Sequence, residues 1–265
     1  MRRSAMPSLA WALTIAIVAT MAAAAGCSRP VSPPPERAAI SDAGLSTDGP
    51  SPSVVTTGGR PAGTDAGMAL AIIDTPIAWS AERERLTLAY RRAHSDPAAA
   101  DLTIVPRAIV LHYTAGSSAV ATRRYFDRPR IESARAQLAR AGAVNVSAHF
   151  IVDRDGTIFR LQPETRYARH CIGLNHLAIG IENVGDNARW PLTQAQVAAN
   201  VALVRELARR FPITHLLGHH EVMRFRSSPY YVELDRSYHN DKPDPGAGFM
   251  ADVRAGLVDL GLTGL

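Results

Sequence analysis

Of the 29 basic residues in this chain, Lys242 alone is a lysine and all the others are arginines. It stands in Lys242-Pro243-Asp244-Pro245-Gly246, two residues from a carboxylate in a segment stiffened by proline. Arginine would serve a bare need for positive charge here, so the lysine points to chemistry specific to a compact, movable ammonium. Upstream, three apolar runs deliver polar groups at their ends: His112, Glu182 and, in Gly218-His219-His220-Glu221, His219. Catalytic zinc takes three protein ligands from His, Asp, Glu or Cys and keeps a fourth position open. His112, His219 and Asp244 can supply such a set, although nine histidines permit other combinations. There is no His-Glu-x-x-His helix, which excludes the commonest zinc-peptidase signature.

These residues need a frame that brings distant strand ends together. Residues 108–113 form a short run rich in branched apolar side chains, the pattern of a buried strand ending at His112. Residues 146–152 and 157–161 are expected to form a hairpin about the turn Asp153-Arg154-Asp155-Gly156. Residues 178–184 and 213–217 read as further strands. Thr193 is the expected N-cap of a helix through Arg210, with Val197, Val201, Val204 and Leu207 on one face. Residues 249–260 read as a closing helix. Strands alternating with helices around one hairpin predict an α/β fold: a single domain with a central mixed β-sheet flanked by helices. Side chains at strand ends in such sheets commonly converge on a cleft.

The rest of the chain is organised differently. Arg2 and Arg3, an apolar stretch over 9–25 and the small residues Ala24-Ala25-Gly26 before Cys27 predict a signal segment over 1–26. The triplet before Cys27 resembles a lipoprotein processing site, with Ala24 where leucine is usual, and makes Cys27 the expected lipidation site. Residues 27–68, rich in Pro, Ser, Thr and Gly, lack apolar periodicity and are expected to be a disordered tether. The folded domain is expected over 69–265. Net charge is +5, or +3 without Arg2 and Arg3, too mild to imply nucleic acid. Two cysteines, Cys27 and Cys171, cannot build a disulfide framework, and Cys171 reads as a packed core side chain.

Five segments taken in order resemble the zinc-dependent N-acetylmuramoyl-L-alanine amidases of the type 2 amidase family, relatives of the peptidoglycan recognition proteins. They are Ile109-Val110-Leu111-His112-Tyr113-Thr114-Ala115, Val146-Ser147-Ala148-His149-Phe150, Ala178-Ile179-Gly180-Ile181-Glu182, Gly218-His219-His220-Glu221 and Lys242-Pro243-Asp244-Pro245-Gly246. The resemblance implies one Zn²⁺ held by His112, His219 and Asp244, with Glu182 as the catalytic proton carrier and Lys242 as the oxyanion stabiliser. His170 resembles a groove position that meets substrate in the family, and Arg169 and Asn175 are read with it as muropeptide contacts. His149 either orients a ligand or Glu182, or is a satisfied core histidine.

The implied reaction is hydrolysis of the amide joining N-acetylmuramic acid to L-alanine in peptidoglycan or muropeptides, serving wall turnover or recycling. A monomer held in the cell envelope by a lipid anchor is expected, on the periplasmic face of the outer membrane if the cell has two membranes. Two other functions remain open: a non-catalytic peptidoglycan-binding module, and a zinc peptidase acting within the stem peptide.

Overall fold

The computed structural model describes residues 70–264. The expected signal segment, Cys27 and the tether up to residue 68 lie outside the described residues.

β2 (Ala108–Tyr113), β5 (Ala178–Asn183) and β6 (His215–Gly218) form the part of the sheet that matters for chemistry. β2 lies between the other two and runs parallel to both. β3 (Phe150–Val152) continues the sheet beyond β5, then β4 (Ile158–Arg160) and β1 (Ile72–Asp74). The order is β1-β4-β3-β5-β2-β6, and only the β3–β4 pair is antiparallel. The hairpin closes where Gly156 takes φ +89, a conformation favouring glycine, and donates its N–H to Asp153 at 2.9 Å.

Period-two alternation sorts the strands into two faces. Ile109, Leu111, Ile179, Ile181 and Leu216 point into one buried cluster. There they meet Leu203, Val204 and Leu207 of α4 (Gln194–Arg210) and Met250 and Val253 of α5 (Ala247–Ala255). Ala108, Val110, Ala178 and Leu217 point to the other face, over Leu174, Val222 and Phe225. Further along that side, α2 (Ala119–Phe126) packs Ala119 and Phe126 near Ile151. The result is the expected α/β fold with a mixed sheet and helices on both sides.

α4 starts where its sequence says it should. Thr193 accepts from the Gln196 N–H, and Gln196 Oε1 accepts from the Thr193 N–H, a complete capping box. Val197 and Val201 pack at the margin of the core, while polar Gln196 and Asn200 are fully buried. Gln196 Nε2 donates to the carbonyls of Val152 and Val184, and Asn200 Nδ2 donates to Asn183 Oδ1. These amides satisfy backbone and side-chain groups at the ends of β3 and β5 that would otherwise be buried without partners.

Several boundaries differ from expectation. The strand expected over 146–152 is regular only from Phe150, because the His149 ring Nδ1 accepts the Gly180 N–H that a carbonyl would otherwise take. The closing helix stops at Ala255 and resumes as a 3₁₀ turn, Val258–Leu260. Residues 72–94 contribute β1 and α1 (Ala81–His94), neither of which was expected from the sequence. Buried Arg83 of α1 donates to the carbonyls of Phe126 and Arg128 and so ties α1 to the end of α2. Among the described residues no helix is long and apolar enough to cross a membrane.

Candidate metal centre and active site

His112 and Glu182 share a register position across β2 and β5, both on the face away from α4. His219 follows the same parity just beyond β6, in the 3₁₀ turn His219–Glu221. Asp244 arrives from the loop before α5. His112 Nδ1 lies 3.0 Å from His219 Nδ1 and 3.1 Å from Asp244 Oδ2, and His219 Nδ1 lies 3.2 Å from the same oxygen. All three residues are buried, and they are the one such cluster among the described residues. Zinc–nitrogen and zinc–oxygen bonds of about 2.0–2.2 Å in a tetrahedron separate donor atoms by about 3.3–3.5 Å. The donor set and its spacing therefore fit zinc.

Electrostatics favour the ligand forms. Burial opposes the Asp244 charge, but the flanking His112 and His219 imidazoles hold the carboxyl far below the usual carboxylate range. Burial pulls His112 down to about 4, against the raising effect of Asp244, so its imidazole is neutral near pH 7. A carboxylate and a neutral imidazole are the states that bind metal.

The donors are held by a surrounding set of hydrogen bonds. Asn183 Nδ2 donates to the His112 carbonyl at 3.1 Å and is itself held by Asn200. The His220 N–H donates to the Asp244 carbonyl at 2.8 Å, joining the two ligand loops. Gly218 gives the His220 ring its room, since a Cβ there would sit 2.7 Å from two ring atoms. The Glu221 carboxylate accepts from the Gly218 N–H and from the Arg254 guanidinium of α5, so His219 is anchored from behind. His220 is thus a bracket for Asp244 and lies outside the three-donor cluster.

Glu182, the acid–base group that the family resemblance implies, stands opposite His112 near the end of β5. Its Oε2 is enclosed and has no hydrogen-bond partner. Burial first, and then the Asp244 charge, push its carboxyl well above the ordinary value, while Lys242 and Arg135 pull the other way. A carboxyl destabilised in its charged form is suited to picking up a proton and passing it on. Lys242, half-buried, is near enough for its charge to act on both His112 and Glu182.

Arg169 and Asn175, expected as substrate contacts, are both buried. Arg169 is only 3% exposed; its guanidinium donates to the carbonyls of Gly142, Val144 and Leu138 and to the Tyr238 hydroxyl, and it stacks on Tyr90 at 4.3 Å. Asn175, 4% exposed, accepts the N–H groups of His170 and Cys171 on one oxygen. Arg169 commits both terminal guanidinium nitrogens, and Asn175 its side-chain oxygen, to loop structure. His170 lies beside His112 with its Nδ1 3.1 Å from His112 Nε2. His149 is the satisfied core histidine of its two readings: Nδ1 accepts from Gly180 N–H and Nε2 donates to the Arg166 carbonyl. Cys171 is buried, and burial raises its thiol far above the ordinary value.

Fold and site together define an α/β protein with a buried cluster of three donors that could hold a metal ion, and an adjacent carboxyl and ammonium. The chain belongs to the Amidase_2 family, N-acetylmuramoyl-L-alanine amidase, which matches residues 102–247. Over 86 residues it is 34% identical to an endolysin of Escherichia phage T7 and 33% identical to one of Enterobacteria phage T3. Each of these matches covers 31% of this chain and 57% of the relative, so the chain spans little more than half the length of these relatives. Among solved structures it is similar to the endolysin N-acetylmuramoyl-L-alanine amidase LysCS of Clostridium intestinale, at 22% identity and TM-score 0.45, over 71% of this chain and 95% of that one.

Proposed function

We propose that the chain is a zinc-dependent N-acetylmuramoyl-L-alanine amidase, hydrolysing the amide between the lactyl group of N-acetylmuramic acid and L-alanine in peptidoglycan or its fragments. The observation that carries this reading is the convergence of His112, His219 and Asp244 at 3.0–3.2 Å beside an enclosed, unpartnered Glu182 oxygen. A zinc ion on these donors supplies a Lewis acid for the amide carbonyl and makes a water ionisable near neutral pH.

The chain's own groups do the remaining work. Glu182 takes the proton of the attacking water and returns it to the departing alanine nitrogen. Lys242 faces the oxygen on which negative charge builds, and its ammonium can follow that charge as the carbonyl becomes tetrahedral. Burial of the three donors keeps solvent from competing for them. A pure binding module would need neither group. In the cell, the reading places the domain in the envelope on a lipid anchor at Cys27, on the periplasmic face of an outer membrane where one exists, and gives it a role in wall turnover or recycling.

The test is metal content together with hydrolysis. Protein purified without added metal should carry about one zinc per chain, lose muropeptide hydrolysis on chelation, and regain it with zinc. Full hydrolysis after complete removal of metal would overturn the reading.

A further inference from the structure

His112 offers a metal through Nδ1 only if its proton sits on Nε2, and the structure shows what holds it there. His170 Nε2 lies 3.1 Å from the Ala178 carbonyl, a group that can only accept, so that nitrogen carries a proton. His170 Nδ1 lies 3.1 Å from His112 Nε2. If Nδ1 of His170 also carried a proton, His112 Nε2 would have to accept it, and a neutral His112 would then aim an N–H at the other two donors. A directed chain avoids this. His112 Nε2–H donates to His170 Nδ1, His170 Nε2–H donates to Ala178, and the His112 Nδ1 lone pair is left facing His219 and Asp244.

The seat of this second imidazole is built into β5. Gly180 lies one alternation before Glu182, on the same face, and a Cβ there would stand 2.6 Å from His170 Cγ and 2.7 Å from Nδ1. No ordinary side chain contact is that short, so any residue with a Cβ would displace the ring. From the other side, the Asn175 side chain accepts the His170 N–H at 2.9 Å and fixes the backbone that carries it. The perpendicular His149 ring, 5.8 Å away between centroids, is itself immobilised by two hydrogen bonds.

We infer that His170 is a positioning residue that selects the metal-binding tautomer of His112, and that Gly180 exists in this strand to let it do so. The inference rests on the zinc reading of the His112–His219–Asp244 cluster. Partners that orient a metal-bound histidine typically contribute about 10- to 100-fold in metal affinity. His170 is half-buried, and both of its ring nitrogens are committed to the protein.

The test compares zinc affinity, by competition with a fluorescent chelator, in wild type, His170→Ala, His170→Asn and Gly180→Ala. Asparagine carries an acceptor, Oδ1, near the place of Nδ1, whereas alanine carries none. Affinity should fall about 10- to 100-fold in His170→Ala and Gly180→Ala, and His170→Asn should recover most of it. Nitrogen-15 NMR of the metal-free proteins should show His112 as the Nε2–H tautomer in wild type and a mixture in His170→Ala. Circular dichroism identifies any variant that fails to fold, and His170→Asn and the wild-type tautomer then still decide the matter. Unchanged affinity in His170→Ala, an asparagine variant no better than the alanine one, or an Nδ1–H His112 in wild type would each overturn the inference. A wild-type chain that takes up no zinc would instead overturn the metal reading itself.

Discussion

His112 and Glu182 stand directly opposite each other on neighbouring parallel strands, at the same register position of β2 and β5. One row of the sheet therefore brings together the proposed metal donor and the proposed proton carrier. His219 joins them from β6 by the same parity, and only Lys242 and Asp244 come from a loop.

Glu182→Gln separates proton transfer from metal binding. The amide keeps the size of the side chain but cannot accept a proton from water. Turnover should fall by about 10²- to 10⁴-fold with zinc content unchanged. Retained turnover, measured with zinc stoichiometry on the same sample, would remove Glu182 from the mechanism.

Lys242→Ala should reduce turnover about 10²- to 10³-fold, the loss typical of removing one oxyanion donor, at normal zinc content. Lys242→Arg is the more discriminating variant. It preserves charge, so near-normal turnover would show that any cation suffices and that the ammonium has no special role.

Asp244→Ala removes one of three donors and leaves two buried imidazoles facing each other. Zinc occupancy after dialysis should drop to a small fraction of wild type, and the thermal shift produced by added zinc should shrink with it. An undiminished shift would mean that the metal sits elsewhere.

His94, at the end of α1, donates Nδ1–H to Glu233 at 2.8 Å and Nε2–H to the Ala141 carbonyl at 2.6 Å. Burial lowers its pKa, but the Glu233 hydrogen bond, the Ala141 carbonyl and the Glu233 charge outweigh this and Arg169, leaving it raised. Stability from the charged form is then fully present below about pH 6.5 and is lost as pH rises through the folded value. Melting curves from pH 5 to 9, with chelator throughout, should show this loss in wild type and a flatter profile in His94→Gln. Parallel profiles would contradict the assignment.

The chemistry-bearing residues were legible because strand parity is legible. Continuous apolar runs ending in His112 and Glu182 mark buried strands, and the alternation of side chains along a strand then puts each residue on a definite face. Thr193 likewise announced the start of α4. What sequence could not show was pairing across distance. His170 meets His112 across 58 residues, and its role as a bracket depends on the missing Cβ of Gly180, which reads in sequence only as a glycine in a strand. Arg169 reads as a substrate contact because it adjoins His170, and only the fold reveals the carbonyls that surround it. The hairpin strand was drawn too long because nothing local says that a histidine ring would take a ladder hydrogen bond.

The most direct test of the central claim is the identity of the bond cut. Purified muropeptides, incubated with the zinc-loaded protein with and without chelator, would be resolved by mass spectrometry. The account predicts intact stem peptides with a free L-alanine amino terminus together with peptide-free N-acetylmuramic acid glycan, both absent when metal is removed. Cuts between later residues of the stem peptide, or no products from a folded, zinc-loaded chain, would contradict it.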